Sequence, residues 1–359
     1  MGGKVRLAIL GGGNILGAHA PGYIAHADLC EVVAVAEANP AAHARVRELL
    51  KKDVPIYGDY REVLDLPGLD AVDILLPHSM HMEAAVAAAG KGLHVLCEKV
   101  MARNAHECAA MVGACERAGV ILMVAHDRRY NAEWASLKEA VESGGIGEAV
   151  FARLEHNQDV RIPKGSWIWS RDGIGGGAVM SCLTHQIDAL RWYLGEVASV
   201  TCMTKSLDTH MEGECIGAVT ARMRGGALAM LSINWHTKSA SWRAGEENNL
   251  WYEYSHIYGT RGEAYYMSGK GAFMKSYESP DGEGGFVRLE PKWRLSGHQR
   301  CIGEFLKAVA GQPAEVLTPG SDSMKTVEVA EAAYLSEALG RVVELPIRHV
   351  PWDEREYQR

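Results

Sequence analysis

The chain is predicted to be an α/β protein of two domains. The first is a doubly wound parallel sheet over residues 1–126, and the second is an α/β unit with a mainly antiparallel open sheet over residues 127–359. Three observations predict this. Apolar strand-like runs alternate with Ala-rich helical runs through the first third of the chain. A glycine turn, Gly11-Gly12-Gly13-Asn14-Ile15-Leu16-Gly17, joins the first such strand to the first helix. Beyond about residue 148 the texture changes to β-rich runs with few helices between them.

The elements follow in order. Strands are expected at Val5–Leu10, 32–36, 71–76, His94–Cys97 and 120–124, with helices at 15–26, 40–50, 81–89 and 105–117. Gly90 and Gly119 stand at two helix ends, where a residue free to turn left-handed stops a helix. Strands that alternate with helices are joined by right-handed crossovers, which gives the parallel Rossmann sheet. A linking helix at 133–142 closes on Gly144-Gly145. The second domain offers β runs at 151–157, 199–206, 215–223, 227–235, 251–258 and 264–267, with Arg224-Gly225-Gly226 as a hairpin turn. One helix is expected at 179–194, an exposed loop at 268–285, and two closing helices at 298–310 and 321–340.

Composition narrows the function classes. The chain has 359 residues, enough for two cores, and a formal charge of −8, so no basic surface recruits nucleic acid or an anionic membrane. None of its eight cysteines forms a C-x-x-C pair, and several sit in apolar stretches, so reduced thiols in the cytoplasm are expected. The first strand begins so early that no signal peptide is expected, and no apolar run approaches membrane-spanning length. The 15 histidines show no H-E-x-x-H or Cys/His quartet, and no metal is expected.

The chemistry is read from the motifs. Gly11, Gly13, Asn14 and Ile15 follow a strand and precede a helix, where backbone N–H groups and a helix N-terminus meet a phosphate. Glu37 ends the second strand. A carboxylate there accepts both ribose hydroxyls of NAD and repels the extra phosphate of NADP, and Ala38-Asn39 offers no cation to hold that phosphate, so NAD is expected over NADP. Pro77, His78, His81 and Glu98 lie at carboxyl ends of strands, which line a cofactor crevice, although His81 equally suits helix packing. Lys99 can orient a substrate hydroxyl and favour its alkoxide, or be an ordinary surface lysine. Gly175-Gly176-Gly177 lets backbone approach a ligand. Ser181, His185 and Asp188 then share one helix face, where His185 is a candidate general base with Asp188 orienting it, or simply a satisfied core histidine. Arg128, His156, Asn157 and Trp167 are candidate substrate contacts, with Arg161 and Trp169 beside Trp167 as a possible stacking wall.

The order of these motifs resembles the glucose–fructose oxidoreductase/inositol dehydrogenase/MocA (Gfo/Idh/MocA) family. The matching pieces are G-G-G-N-I at 11–15, A-V-A-E at 34–37, D-I-L-L-P-H-S-M-H at 73–81, G-L-H-V-L-C-E-K-V at 92–100, R-R-Y at 128–130, G-G-G-A-V-M-S-C-L-T-H-Q-I-D at 175–188 and E-L-P at 344–346. The resemblance implies an N-terminal Rossmann domain and a C-terminal domain whose open sheet mediates oligomer contacts, hence a homodimer or homotetramer. It also implies hydride transfer between a nicotinamide and a ring hydroxyl of a sugar, glycoside or cyclitol, the small-molecule partner. Lys99 matches the family's catalytic Lys, His185 its catalytic His, and His156 a residue that touches substrate. Val100 stands where the family has Pro, and Ser181 where it often has Asp. Two rival readings accompany this one, an NAD-dependent redox-neutral glycosidase and a non-catalytic dinucleotide or sugar sensor. Retention of both Lys99 and His185 argues against the sensor.

Overall fold

The computed structural model describes residues 3–160, 162–207, 211–237, 251–278 and 284–347. The chain divides into two compact units, Met1–Asn131 with Leu295–Met324, and Ala132–Arg294 with Lys325–Arg359. Beyond the single cut expected after residue 126, the first unit also takes back a late segment. The reason lies in packing: Cys301, Ile302, Phe305 and Leu306 are buried in one cluster with Leu7, Ile9, Leu16 and Tyr23.

The first unit carries strands β1 (Val5–Leu10), β2 (Cys30–Ala36), β3 (Ile56–Tyr57), β4 (Ala71–Ile74), β5 (His94–Cys97) and β6 (Leu122–Val124). All pairs are parallel, in the order β3-β2-β1-β4-β5-β6. That order reverses between β1 and β4, the switch point at which such sheets bind dinucleotides. Its helices include α1 (Leu16–Ala25), α2 (His43–Leu50), α3 (Tyr60–Leu64), α4 (His78–Gly90) and α5 (Ala105–Ala118). Asn104 caps α5 by accepting from Glu107 N–H, and Gly119 ends it at φ +67°. β3 and α3 were not expected, since both are too short to show a periodicity.

The second unit begins with α6 (Ala132–Glu142) and carries strands β7 (Ala149–Gln158), β8 (Val197–Lys205), β9 (Ile216–Met223), β10 (Leu228–Asn234), β11 (Trp251–Gly259), β12 (Gly262–Met267), β13 (Gly271–Ser276), β14 (Val287–Leu289) and β15 (Val343–Glu344). They form one sheet in the order β14-β13-β12-β11-β7-β10-β9-β8-β15, with only the β10–β7 pair parallel among the described ladders. The loop expected over 268–285 is corrected: Gly271–Ser276 is strand β13, paired to β12 along six residues.

Two helical segments cross this unit, α7 (Arg171–Ile174) and α8 (Thr184–Leu194). The single helix expected at 179–194 is corrected as well, because Val179–Leu183 is wound as a π-helix before α8 begins. The last two helices are α9 (Gly297–Val309), whose Ser296 and Gln299 form a reciprocal capping box, and α10 (Gly320–Leu339). Among the described residues no helix is long and apolar enough to cross a membrane.

Candidate functional site

In the first unit the glycine turn connects β1 to α1. Gly11 has φ +112°, and a Cβ there would strike the Leu75 carbonyl, so only glycine fits. A Cβ at Gly13 would meet nothing within 4 Å, so the turn is open on that side, ahead of the positive end of α1. Glu37 accepts hydrogen bonds from Gly12 N–H (2.9 Å) and Asn39 N–H (2.7 Å). A carboxylate has about four lone-pair sites, so about two remain for a diol such as a ribose. Arg45 donates to the carbonyls of Gly12 (3.3 Å) and Gly13 (3.2 Å), a brace reaching in from α2. Turn, helix end and acid together fit an NAD cofactor.

Pro77 precedes α4 and His78 begins it, 5.6 Å ring to ring from His81. His81 is wholly buried, with Nδ1 3.0 Å from the Val100 carbonyl and Nε2 2.7 Å from the Leu76 carbonyl. Both ring nitrogens are thus occupied by backbone, and its place among cofactor contacts is corrected: it buttresses the segment that carries Lys99. Lys99 follows β5, is half-buried, and its peptide bond to Val100 is cis.

Behind Lys99 lies a buried polar network. Tyr23 donates to Asp73 Oδ2 (2.6 Å), which also meets His19 Nδ1 (2.8 Å). His19 Nε2 is 3.3 Å from Glu98 Oε1, and His298 Nε2 approaches the same oxygen at 3.5 Å. His298 Nδ1 faces Asp127 Oδ2 at 3.5 Å, and Asp127 holds Arg128 Nη1 at 2.6 Å. Burial would raise the Glu98 carboxyl, but the bonds from His19 and His298 and the charges of His19 and Lys99 outweigh it and hold Glu98 well below the usual carboxylate range. Burial works against a charged His19, yet Asp73 and Glu98 prevail and raise it to about 10. Arg128 is accordingly a buried partner of Asp127 in this network.

In the second unit α8 lays His185 and Gln186 on one sheet face. The His185 and His156 rings are parallel within 3° with centroids 6.4 Å apart. Glu253 of β11 is the register partner of His156, and its Oε1 lies 3.4 Å from His156 Nδ1 and accepts from Gln186 Nε2 at 3.0 Å. His156, His185, Gln186 and Glu253 are all buried. This is an acid–base face of two imidazoles backed by one carboxylate.

Other expected site residues fall elsewhere. His156 and Asn157 are neighbours on β7 and point to opposite faces; Asn157 donates weakly to Glu155 (3.5 Å) on the face away from His185. Asp188 accepts from Thr326 Oγ1 (3.2 Å), which accepts from Arg191 (2.9 Å), so it is tied to α10. Ser181 lies in the π-wound segment, so the spacing that placed Ser181 and His185 on one α-helical face does not carry across the change of winding. The glycine run is also corrected. A Cβ on Gly177 would strike Glu214, and one on Gly176 would strike Tyr334, whose hydroxyl donates to Glu214 (2.7 Å). Those glycines admit a protein side chain. Trp167 is 42% exposed, and Arg161 lies outside the described residues.

The chain matches two family models, an oxidoreductase family with an NAD-binding Rossmann fold at residues 5–126 and a Gfo/Idh/MocA C-terminal domain at residues 134–265. It is 27% identical to D-apiose dehydrogenase of Rhizobium rhizogenes over 80% of this chain and 83% of that one. Inositol 2-dehydrogenase of Streptomyces avermitilis is 32% identical over 63% and 65%. Levoglucosan dehydrogenase of Pseudarthrobacter phenanthrenivorans is 34% identical over 47% of this chain and 44% of that protein. A solved levoglucosan dehydrogenase in complex with NADH and L-sorbose superimposes with TM-score 0.84 at 24% identity, covering 96% of this chain and 99% of that one, which is a likeness of fold. With both of its halves matched and the glycine turn, Glu37, Lys99 and His185 all in place, the chain belongs to the Gfo/Idh/MocA family of oxidoreductases.

Proposed function

We propose that this chain oxidises, or in reverse reduces, one ring carbon of a sugar, glycoside or cyclitol with NAD. The buried His185–His156 pair backed by Glu253 is the observation that carries this reading. The names of the relatives, dehydrogenases of apiose, inositol and levoglucosan, give the substrate class. NAD, when bound, would accept the carbinol hydrogen as hydride and so turn the alcohol into a ketone, and His185 would take the hydroxyl proton. Lys99 orients that hydroxyl and favours its alkoxide. His156 contacts the ring on the same sheet face, with Ser181 and Trp167 as further contacts in this reading. Gly11, Gly13, Asn14, Ile15 and Glu37, with Pro77 and His78 at the strand ends, hold the cofactor.

The test is NADH formation by the purified chain with NAD and a panel of inositols, pyranoses and glycosides. Lys99→Ala and His185→Ala should each lower kcat by about 10²–10⁴. Near-wild-type turnover in both variants sinks the reading. Glycoside cleavage without net NADH would replace it with hydride recycling.

A homo-oligomer built on the outer face of the second sheet belongs to the same proposal. That face carries Phe151, Met203, Met230 and Tyr258, and Met203 is 80% exposed, an expensive state for an apolar side chain. Light scattering that returns a monomer would refute it. The eight cysteines are free thiols, in keeping with a reducing cytoplasm.

A further inference from the structure

His19, Glu98 and His298 come from α1, the end of β5 and the start of α9, and their ligand atoms lie within 4.8 Å of one another. The two imidazoles are arranged alike. Each turns Nδ1 toward a carboxylate, Asp73 for His19 and Asp127 for His298, and each turns Nε2 toward the same oxygen, Glu98 Oε1. A carboxylate on Nδ1 fixes each ring so that Nδ1 carries a hydrogen and Nε2 faces Glu98 Oε1, an oxygen that only accepts. What sits between them is therefore positive: a proton, as on a charged imidazole, or a metal ion.

The distances say what. At 3.3 and 3.5 Å the two contacts exceed the usual N–H···O length of about 2.9–3.0 Å. Ligands placed tetrahedrally at about 2.0–2.1 Å from one zinc ion are about 3.3–3.4 Å apart, the edge of the tetrahedron. Three carboxylates, Asp73, Glu98 and Asp127, converge on this point. Of the cations beside them, Arg128 is paired to Asp127 and Lys99 acts on Glu98 from outside the triad. The three ligating residues are fully or largely buried, with the His298 side chain 19% exposed as the open side.

We infer that His19, Glu98 and His298 are a three-ligand site for a divalent ion of the zinc type, with Asp73 and Asp127 as the carboxylates behind the two imidazoles. Two nitrogens and one oxygen suit zinc or cobalt, whereas magnesium and calcium take oxygen cages. Three protein ligands leave a fourth position for water or a small oxygen ligand, the open arrangement of non-structural zinc sites. The site needs no assumption about the sugar, so it stands or falls apart from the proposed function.

The experiment uses the full chain, stripped with chelator and titrated with Co²⁺ in the absence of NAD. One equivalent should give the intense visible bands of tetrahedral cobalt, and Zn²⁺ should displace them. His298→Gln should abolish the bands, and Asp127→Asn should weaken Co²⁺ binding about 10- to 100-fold, with folding checked by a thermal melt. No one-equivalent band, an octahedral spectrum, or an unchanged titration in folded His298→Gln overturns the site. Should that variant fail to fold, the wild-type titration with Zn²⁺ competition still decides.

Discussion

Glu253 stands opposite His156 in the β7–β11 ladder and joins it to α8, because the same carboxylate oxygen takes the Gln186 amide. Register and helix placement thus meet on one buried acid. Removing it leaves two polar side chains without their shared acceptor. Glu253→Ala should cost about 3 kcal/mol in urea unfolding, the lower end for breaking a buried pair. Glu253→Gln keeps an acceptor for Gln186 and should cost about 1 kcal/mol. Equal losses would mean that the carboxylate fills space and nothing more.

Glu37 should decide cofactor choice. Its two remaining acceptor sites would take ribose hydroxyls, each bond to a charged group contributing about 1.5–3 kcal/mol. Glu37→Ala should therefore raise the Kd for NADH about 10²- to 10⁴-fold while that for NADPH stays level or falls. A calorimetric titration showing both weakened alike would remove Glu37 from the cofactor site.

Gly11 and Gly13 should separate stability from binding. Gly11→Ala must force a left-handed φ and move the Leu75 carbonyl, for a loss of about 2 kcal/mol or more. Gly13→Ala has open space around its new methyl group, so its Tm should stay near wild type while NADH affinity drops. Melting curves with and without NADH test this; an unchanged affinity in Gly13→Ala would take the open side of the turn out of the cofactor site.

Glu214 should give stability a pH dependence. Burial raises its carboxyl to about 7, only partly offset by the Tyr334 hydroxyl and the Val179 amide. The folded state therefore keeps a proton that the unfolded chain has lost, so Glu214's contribution to stability is greatest below about pH 4.5 and is lost as pH rises to about 7. The penalty above that range is on the order of 3 kcal/mol. Glu214→Gln should flatten this component in urea unfolding measured between these limits. An unaltered slope in that variant would show that another group titrates.

What could be read from the sequence was what the chain writes locally. The turn at Gly11–Gly17 and Glu37 lie one strand and one helix apart, so their order alone places them. Lys99 and His185 enter the proposed site through the motifs around them. Glu253 does not, because only the pairing of β11 with β7 sets it opposite His156, and no spacing records a ladder. His19, Glu98 and His298 are similarly hidden, being brought together by three separate elements. Asn157 was misplaced for a simpler reason: a strand turns successive side chains to opposite faces, so adjacency in sequence is separation in space. The π-wound segment broke an argument from helical spacing in the same way.

The return of Leu295–Met324 to the first unit sets the order in which the protein can be finished during synthesis. Six strands of the parallel sheet leave the ribosome early, yet Ile302, Phe305 and Leu306, which seal the apolar cluster around Leu7, Ile9 and Leu16, are translated after the whole antiparallel sheet except β15. The nascent Rossmann unit must therefore wait with that apolar surface uncovered while the second unit is made, the interval in which a growing chain is most open to aggregation and to chaperones.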